Sequence, residues 1–108
     1  MRVKYTENKH VYYKRNPIIG ERRRDDETVL IDSETDAIIH LNAMGQRIWE
    51  CVENTVSKER IIENCAEYFS DVPHEILRRD VVKLIDQLVD RQILLQVSEQ
   101  TYPVEKAE

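Results

Sequence analysis

Within the ten residues Leu41-Asn42-Ala43-Met44-Gly45-Gln46-Arg47-Ile48-Trp49-Glu50 the hydrophobic repeat of the chain changes from two to 3.6. Leu41 closes an alternating run, and Asn42 has a side-chain oxygen that can accept from free amides of a first helical turn. Met44, Ile48, Cys51 and Val52 then recur at helical spacing. A sheet therefore hands over to a helix at Asn42, and every other segment must be arranged around that junction.

Upstream lie three strand-like runs. Tyr12, Tyr13, Pro17, Ile18 and Ile19 begin the ordered part, and Ile19 leads into Gly20-Glu21-Arg22-Arg23-Arg24. Asp25-Asp26-Glu27 makes a charged turn, followed by the short β-rich run Thr28-Val29-Leu30-Ile31. Asp32-Ser33-Glu34-Thr35-Asp36 is turn chemistry, and Ala37-Ile38-Ile39-His40-Leu41 is the third strand. Connections this short force an antiparallel meander, because a parallel pair needs a crossover of about a dozen residues or more.

Downstream the chain is helical. Asn54 is placed to end the first helix in a left-handed conformation, and Ser57 to cap a second helix with Ile61, Ile62, Cys65, Ala66 and Phe69 on one face. Ser70-Asp71-Val72 interrupts it. Pro73 fits the first turn of a third and longest helix, with Glu75 at its positive end, running to about Arg91. Ile93-Leu94-Leu95-Gln96-Val97 reads as a short terminal strand or an apolar clasp. The expectation is an α+β domain over residues 13–97, a three-stranded antiparallel sheet followed by three helices, between flexible polar tails at 1–12 and 98–108.

Size and composition exclude several functions. A single domain of 108 residues has no room for a large catalytic cavity. With 16 basic and 21 acidic residues, the formal net charge is −5, which argues against a polyanionic partner. His10, His40 and His74 form no ligand-spaced set, so no metal is expected. Two glycines leave no glycine-rich phosphate loop, and no nucleophile constellation is present, so neither catalysis nor a cofactor is expected. Cys51 and Cys65 fall on apolar helix positions and read as small core residues rather than a disulfide. Without an apolar segment after Met1 or a run long enough to cross a bilayer, the expected location is the cytoplasm, with no membrane partner.

Two features bear on binding. The third helix carries a core stripe of Leu77, Val81, Leu84 and Leu88, and beside it a second apolar stripe of Val82, Ile85 and Val89. The opposite flank holds Asp80, Gln87 and Arg91. On the helix alone, cover from Ile93–Val97 or Tyr12–Ile19 is the simpler account of the second stripe, and a groove wall is the functional alternative. The meander also leaves an edge strand, whose unpaired amides and carbonyls can accept an extended peptide by strand addition.

In order along the chain, four features resemble the PqqD-like family of RiPP recognition elements, which hold the leader region of a ribosomally made peptide while an enzyme modifies it. They are the strands Thr28–Ile31 and Ala37–Leu41 joined by an acidic turn, and Leu41-Asn42 followed by Ile48-Trp49. Then come Thr55-Val56-Ser57-Lys58-Glu59-Arg60-Ile61-Ile62 ending in Tyr68-Phe69 and Val72, and Asp80-Val81 with Leu84, Leu88 and Ile93-Leu94. The resemblance spans about Pro17 to Leu95 and implies a winged helix-turn-helix-like fold. Asn54 and Gln92 stand where the family often has glycine. Asp32-Ser33-Glu34 replaces the Pro-Glu pair associated with pyrroloquinoline quinone biosynthesis, which points to another peptide pathway.

Carried over position by position, the resemblance implies a peptide site comprising Ile38, Ile39, His40 and Leu41 on the edge strand, faced by Arg79, Val82, Lys83, Asp86 and Val89 from the third helix. The strand span beginning at Ala37 and the apolar stripe containing Ile85 add those two residues to the candidate site. The implied partners are a precursor leader peptide and a peptide-modifying enzyme, a radical SAM maturase or a leader peptidase being the candidates; the expected state is a monomer or weak dimer. Two rivals stand beside this reading. One is a winged-helix DNA-binding regulator, disfavoured because Arg78, Arg79, Lys83 and Arg91 are offset by Asp80, Asp86 and Asp90 on the same helix. The other is a docking subunit that binds a maturation enzyme without holding the peptide. For Arg22-Arg23-Arg24 beside Asp25-Asp26-Glu27, a hairpin balanced by its own charges is the plainer reading, and docking to an acidic partner the alternative.

Overall fold

The computed structural model describes residues 11–97. It contains two three-stranded antiparallel sheets and three helices. Strand β1 is Tyr12–Arg15, β2 Ile19–Arg24, β3 Glu27–Asp32 and β4 Ile38–His40; helix α1 is Ala43–Cys51, strand β5 Val56–Ser57, helix α2 Lys58–Tyr68, helix α3 His74–Asp90 and strand β6 Leu94–Val97. The expected meander is the sheet β2-β3-β4, and β5, β1 and β6 form the second sheet in that order.

The second sheet exceeds the sequence expectation. Tyr12–Arg15 pairs with Val97–Leu94, residue for residue, so the two ends of the domain are joined. Nothing local in the Tyr12 run identifies a partner at the other end of the domain, and its four residues are too few for a clear period. The expected boundary at residue 13 is corrected accordingly, since Tyr12 opens β1 and Val11 packs against the core. Residues 1–10 and 98–108, the rest of the two expected tails, lie outside the described residues.

The caps follow local chemistry. The Gly45 amide donates to Asn42 Oδ1 at 2.7 Å, and the Arg60 amide to Ser57 Oγ at 3.1 Å. Gly45 is needed by the first cap, because a Cβ there would meet Asn42 Oδ1 at 3.2 Å and the Leu41 side chain at 3.3 Å. Two boundaries differ from expectation. Pro73 is the N-cap of α3, with ψ 138°, rather than its first helical residue. Asn54 is not left-handed; α1 ends with Val52 as its C-cap at φ −95°. Among the described residues, the left-handed non-glycine positions are Asp25 and Asp36 in the two hairpin turns, and Gln92.

One core serves both sheets. Leu30, Ile48, Ile61, Ile62, Leu77, Val81, Ile85 and Leu94 are sealed from solvent within it. On α3 the buried face is Leu77, Val81, Ile85 and Leu88. Leu84, expected in the centre of that face, is only partly buried, and the core is centred one position round the helix toward Ile85.

Candidate functional site

Strand β4 is short, and among the described residues one of its edges has no partner strand. Its register places Leu30 opposite Ile39 and Ile31 opposite Ile38. The Asp32 amide donates to the Ala37 carbonyl at 2.9 Å, which makes that opposed pair a hydrogen-bonded one. By the antiparallel alternation, Ile39 then bonds to β3, while the amides and carbonyls of Ile38 and His40 point away from it. The side chains alternate too. Ile39 and Leu41 are buried toward the helices, and Ile38 and His40 stand outside.

Between this edge and α3 runs a groove of about 230 Å³, lined by Ile39, His40, Leu41, Asn42 and Gly45 on one side and Leu84, Gln87, Leu88 and Arg91 on the other. Its floor is aliphatic, and Asn42, Gln87 and Arg91 give it polar walls. That volume suits one or two apolar side chains carried on a strand, and falls below the roughly 300–1,000 Å³ of typical small-molecule pockets.

From the strand, Ile39, His40 and Leu41 line the groove, while Ala37 and Ile38 are exposed beside it. From the helix, the groove takes Leu84, Gln87, Leu88 and Arg91, the flank opposite the one chosen from sequence. Ile85 is fully buried and reaches no surface, which corrects its assignment as a binding residue. Val82 and Val89 are partly buried against the core. Their flank turns toward the second sheet, as the Tyr13 hydroxyl records: burial raises its pKa first, and the Asp86 carboxylate raises it further. Arg79, Lys83 and Asp86 are exposed on the far side of α3, Arg79 lying 3.7 Å from Asp80. The apolar surplus thus packs on the core, the simpler of the two accounts the sequence left open, and not on the groove. The side that borders this cavity carries Gln87 and Arg91 flanking Leu84, a polar pattern that looks like an ordinary solvent face.

The remaining candidates carry no catalytic geometry. His40 Nδ1 lies 3.0 Å from a Glu27 carboxylate oxygen on the outer sheet surface. No group of three metal-ligating side chains occurs among the described residues, and His10 lies outside them. Cys51 and Cys65 are free thiols in contact. Donation to Cys51 and burial hold Cys65 protonated, its pKa well above the ordinary thiol value. Arg78 forks onto Glu59 of α2 at 2.9 and 3.2 Å, which removes a cation that a DNA-reading helix would need. No helix among the described residues is long and apolar enough to cross a membrane.

The model of the family described as Coenzyme PQQ synthesis protein D (PqqD) matches residues 27–94, from the start of β3 to the start of β6. The chain belongs to the PqqD family. Among solved structures it is similar to TbiB1 in complex with the TbiA(beta) leader peptide, with 30% sequence identity, a TM-score of 0.65, and coverage of 76% of this chain and 94% of that one. It also shares its fold with lasso peptide synthetase B1 complexed with the leader peptide, at 19% identity and a TM-score of 0.66, covering 77% of this chain and 96% of the other. No curated protein sequence matches the chain. The PqqD-family match includes both walls of the groove, and leaves out β1, the strand that the sequence reading also missed.

Proposed function

We propose that this protein is a non-catalytic recognition element that holds the leader region of a ribosomally made precursor peptide and presents it to a modifying enzyme. The leader lies as an added strand on the free edge of β4, hydrogen-bonded to Ile38 and His40 main-chain groups, with alternate side chains entering the groove over Ile39, Leu41, Leu84 and Leu88. The observation that carries this reading is the coincidence of a strand edge left unpaired by the described residues with a groove along it that combines aliphatic and polar side chains. The similarity to TbiB1, solved with a leader peptide, supports it. Strand addition needs no reacting group. Each main-chain bond contributes about 0.5–1.5 kcal/mol net and each buried apolar side chain about 1.5–3 kcal/mol, from which the ordering of the peptide must be subtracted. The DNA-binding rival has no observation in its favour.

Titration with leader peptides encoded beside this chain tests the proposal. The bound leader is expected to slow amide exchange at Ile38 and His40, with little change at Ile39, whose amide is already paired. Arg91→Glu should weaken binding of leaders that carry a carboxylate near the groove by about fivefold or more, the scale of a charge-assisted hydrogen bond of roughly 1–3 kcal/mol. Exchange protection centred on β6, or none at all on β4, would overturn the assignment.

A further inference from the structure

The outer surface of the β2-β3-β4 sheet has a composition that the leader site does not account for. Glu21 and Arg23 reach inward to α1, where they contact Trp49 and Glu50 respectively. Strand alternation therefore turns Gly20, Arg22 and Arg24 outward, with Val29 and Ile31 from β3 and Ile38 and His40 from β4. The register aligns them in rows of Gly20, Ile31 and Ile38, and of Arg22, Val29 and His40. Ile38 is 61% exposed, and neither Val29 nor Ile31 packs on the core.

Gly20 shows that this surface is uncovered for no backbone reason. Its φ is not left-handed, and a Cβ there would meet only the Ile31 carbonyl oxygen, at an ordinary 3.9 Å. Opposite Ile31 in the register, it places no side chain of its own on this surface. Two of the three arginines of the hairpin stand on the rim, beside Asp25 and Asp26 of the adjoining turn. Glu27 sits directly opposite Arg24, but its carboxylate is held by His40 at 3.0 Å, and neither Arg22 nor Arg24 makes an ion pair among the described residues.

We propose that this outer sheet surface, Val29, Ile31 and Ile38 rimmed by Arg22 and Arg24, is the docking surface for the peptide-modifying enzyme, which meets it with an apolar patch bordered by carboxylates. The surface itself follows from the sheet; the choice of an enzyme as its occupant rests on the leader-binding reading. The two arginines without an ion-pair partner favour a protein that places carboxylates against them; nucleic acid would gain little from the aliphatic centre and would meet Asp25 and Asp26, and a second copy would set Arg22 and Arg24 against their own kind. Position adds a reason. A leader added beside β4 extends this same sheet, so its outward side chains would join the surface, and an enzyme seated there would touch carrier and peptide at once.

The test uses the purified modifying enzyme encoded beside this chain, with calorimetric titration of enzyme and of leader measured separately. The double variant Arg22→Glu/Arg24→Glu and the single variant Ile31→Lys should each weaken enzyme binding at least tenfold while leaving leader affinity within twofold; the exposed arginine pair keeps the test valid if Ile31→Lys is poorly folded. Unchanged enzyme affinity, or no complex between the wild-type protein and the enzyme, overturns the proposal. A parallel loss of leader affinity places the surface in the peptide site instead, and a wild-type dimer in sedimentation that the same variants dissociate makes it a self-interface. If the wild type binds enzyme through these residues but binds no leader, the docking surface stands and the leader reading falls.

Discussion

Gln92 is the residue at which the chain departs furthest from local preference. It ends α3 at φ 60° in a Schellman arrangement, with its amide on the Val89 carbonyl and the Ile93 amide on that of Leu88, both at 2.9 Å. Asn16 holds the exit in place: its side-chain nitrogen donates to the Gln92 carbonyl at 2.7 Å, and its amide to the Ile93 carbonyl at 3.0 Å. Gln92→Gly is expected to raise stability by about 0.5–1 kcal/mol, the relief of a left-handed side chain less the greater freedom of the unfolded glycine. Asn16→Ala should lower it by about 1–3 kcal/mol, because it leaves the Gln92 carbonyl and the Ile18 amide unpaired. Denaturant titration reads both. A second prediction concerns Glu21. It accepts from Trp49 Nε1 at 3.0 Å, and that bond, aided by Arg15 and Arg23, holds its pKa below the ordinary glutamate value despite some desolvation. A lowered folded-state pKa gives stability that is complete above the unfolded-state value and is lost as the pH falls through the folded one. Glu21→Gln should therefore be less stable than wild type at neutral pH and converge on it in acid; a stability difference independent of pH would refute the linkage.

Among the elements, α3 shows how far a helical wheel can be trusted. The strands β2, β3 and β4, the junction at Asn42, and the existence and order of three helices were legible because each rests on a local signal: alternation, an Asn or Ser cap, a 3.6 repeat. Which flank of α3 borders the groove was not. An apolar arc wider than one core face needs explains itself only when all of its neighbours are known, and β1 was not seen in the sequence. Leu84 was read as core because it repeats with Leu77, Val81 and Leu88, yet the sheet and β6 together draw the buried centre toward Ile85. It follows that Val82→Asp and Val89→Asp should act through the fold. Each is expected to lower unfolding free energy by about 1–3 kcal/mol, the scale for an unsatisfied polar group at a partly buried position, and to weaken leader binding only in proportion to the unfolded fraction. Variants with wild-type melting but lost binding would return the groove to the flank first inferred.

For the molecule as a whole, the pairing of β1 with β6 joins the domain's two ends and brings Tyr13 and Leu94 into the shared core. Arg15 ties this sheet to the rest, its guanidinium 4.0 Å above the Trp49 ring and donating to the Trp49 carbonyl, while Glu21 of the other sheet holds the indole nitrogen. The groove therefore depends on a strand remote from it: β6 and Ile93 fix the exit of α3, and the exit carries Leu88 and Arg91. Ending the chain at Ile93 tests this dependence. The truncation removes Leu94, which is fully buried, and leaves β1 without the partner that pairs along its whole length. Loss of one large core side chain alone destabilises by about 2–5 kcal/mol, comparable with the lower end of the roughly 5–15 kcal/mol that holds a small domain folded. The expected result is loss of the cooperative thermal transition, with leader binding lost alongside it although the β4 edge and every groove residue remain in the chain. A truncated protein that melts cooperatively and still binds would mean that β2–β4 and the helices form a sufficient core by themselves, and that the second sheet is an accessory to the PqqD-family domain rather than part of what holds its groove open.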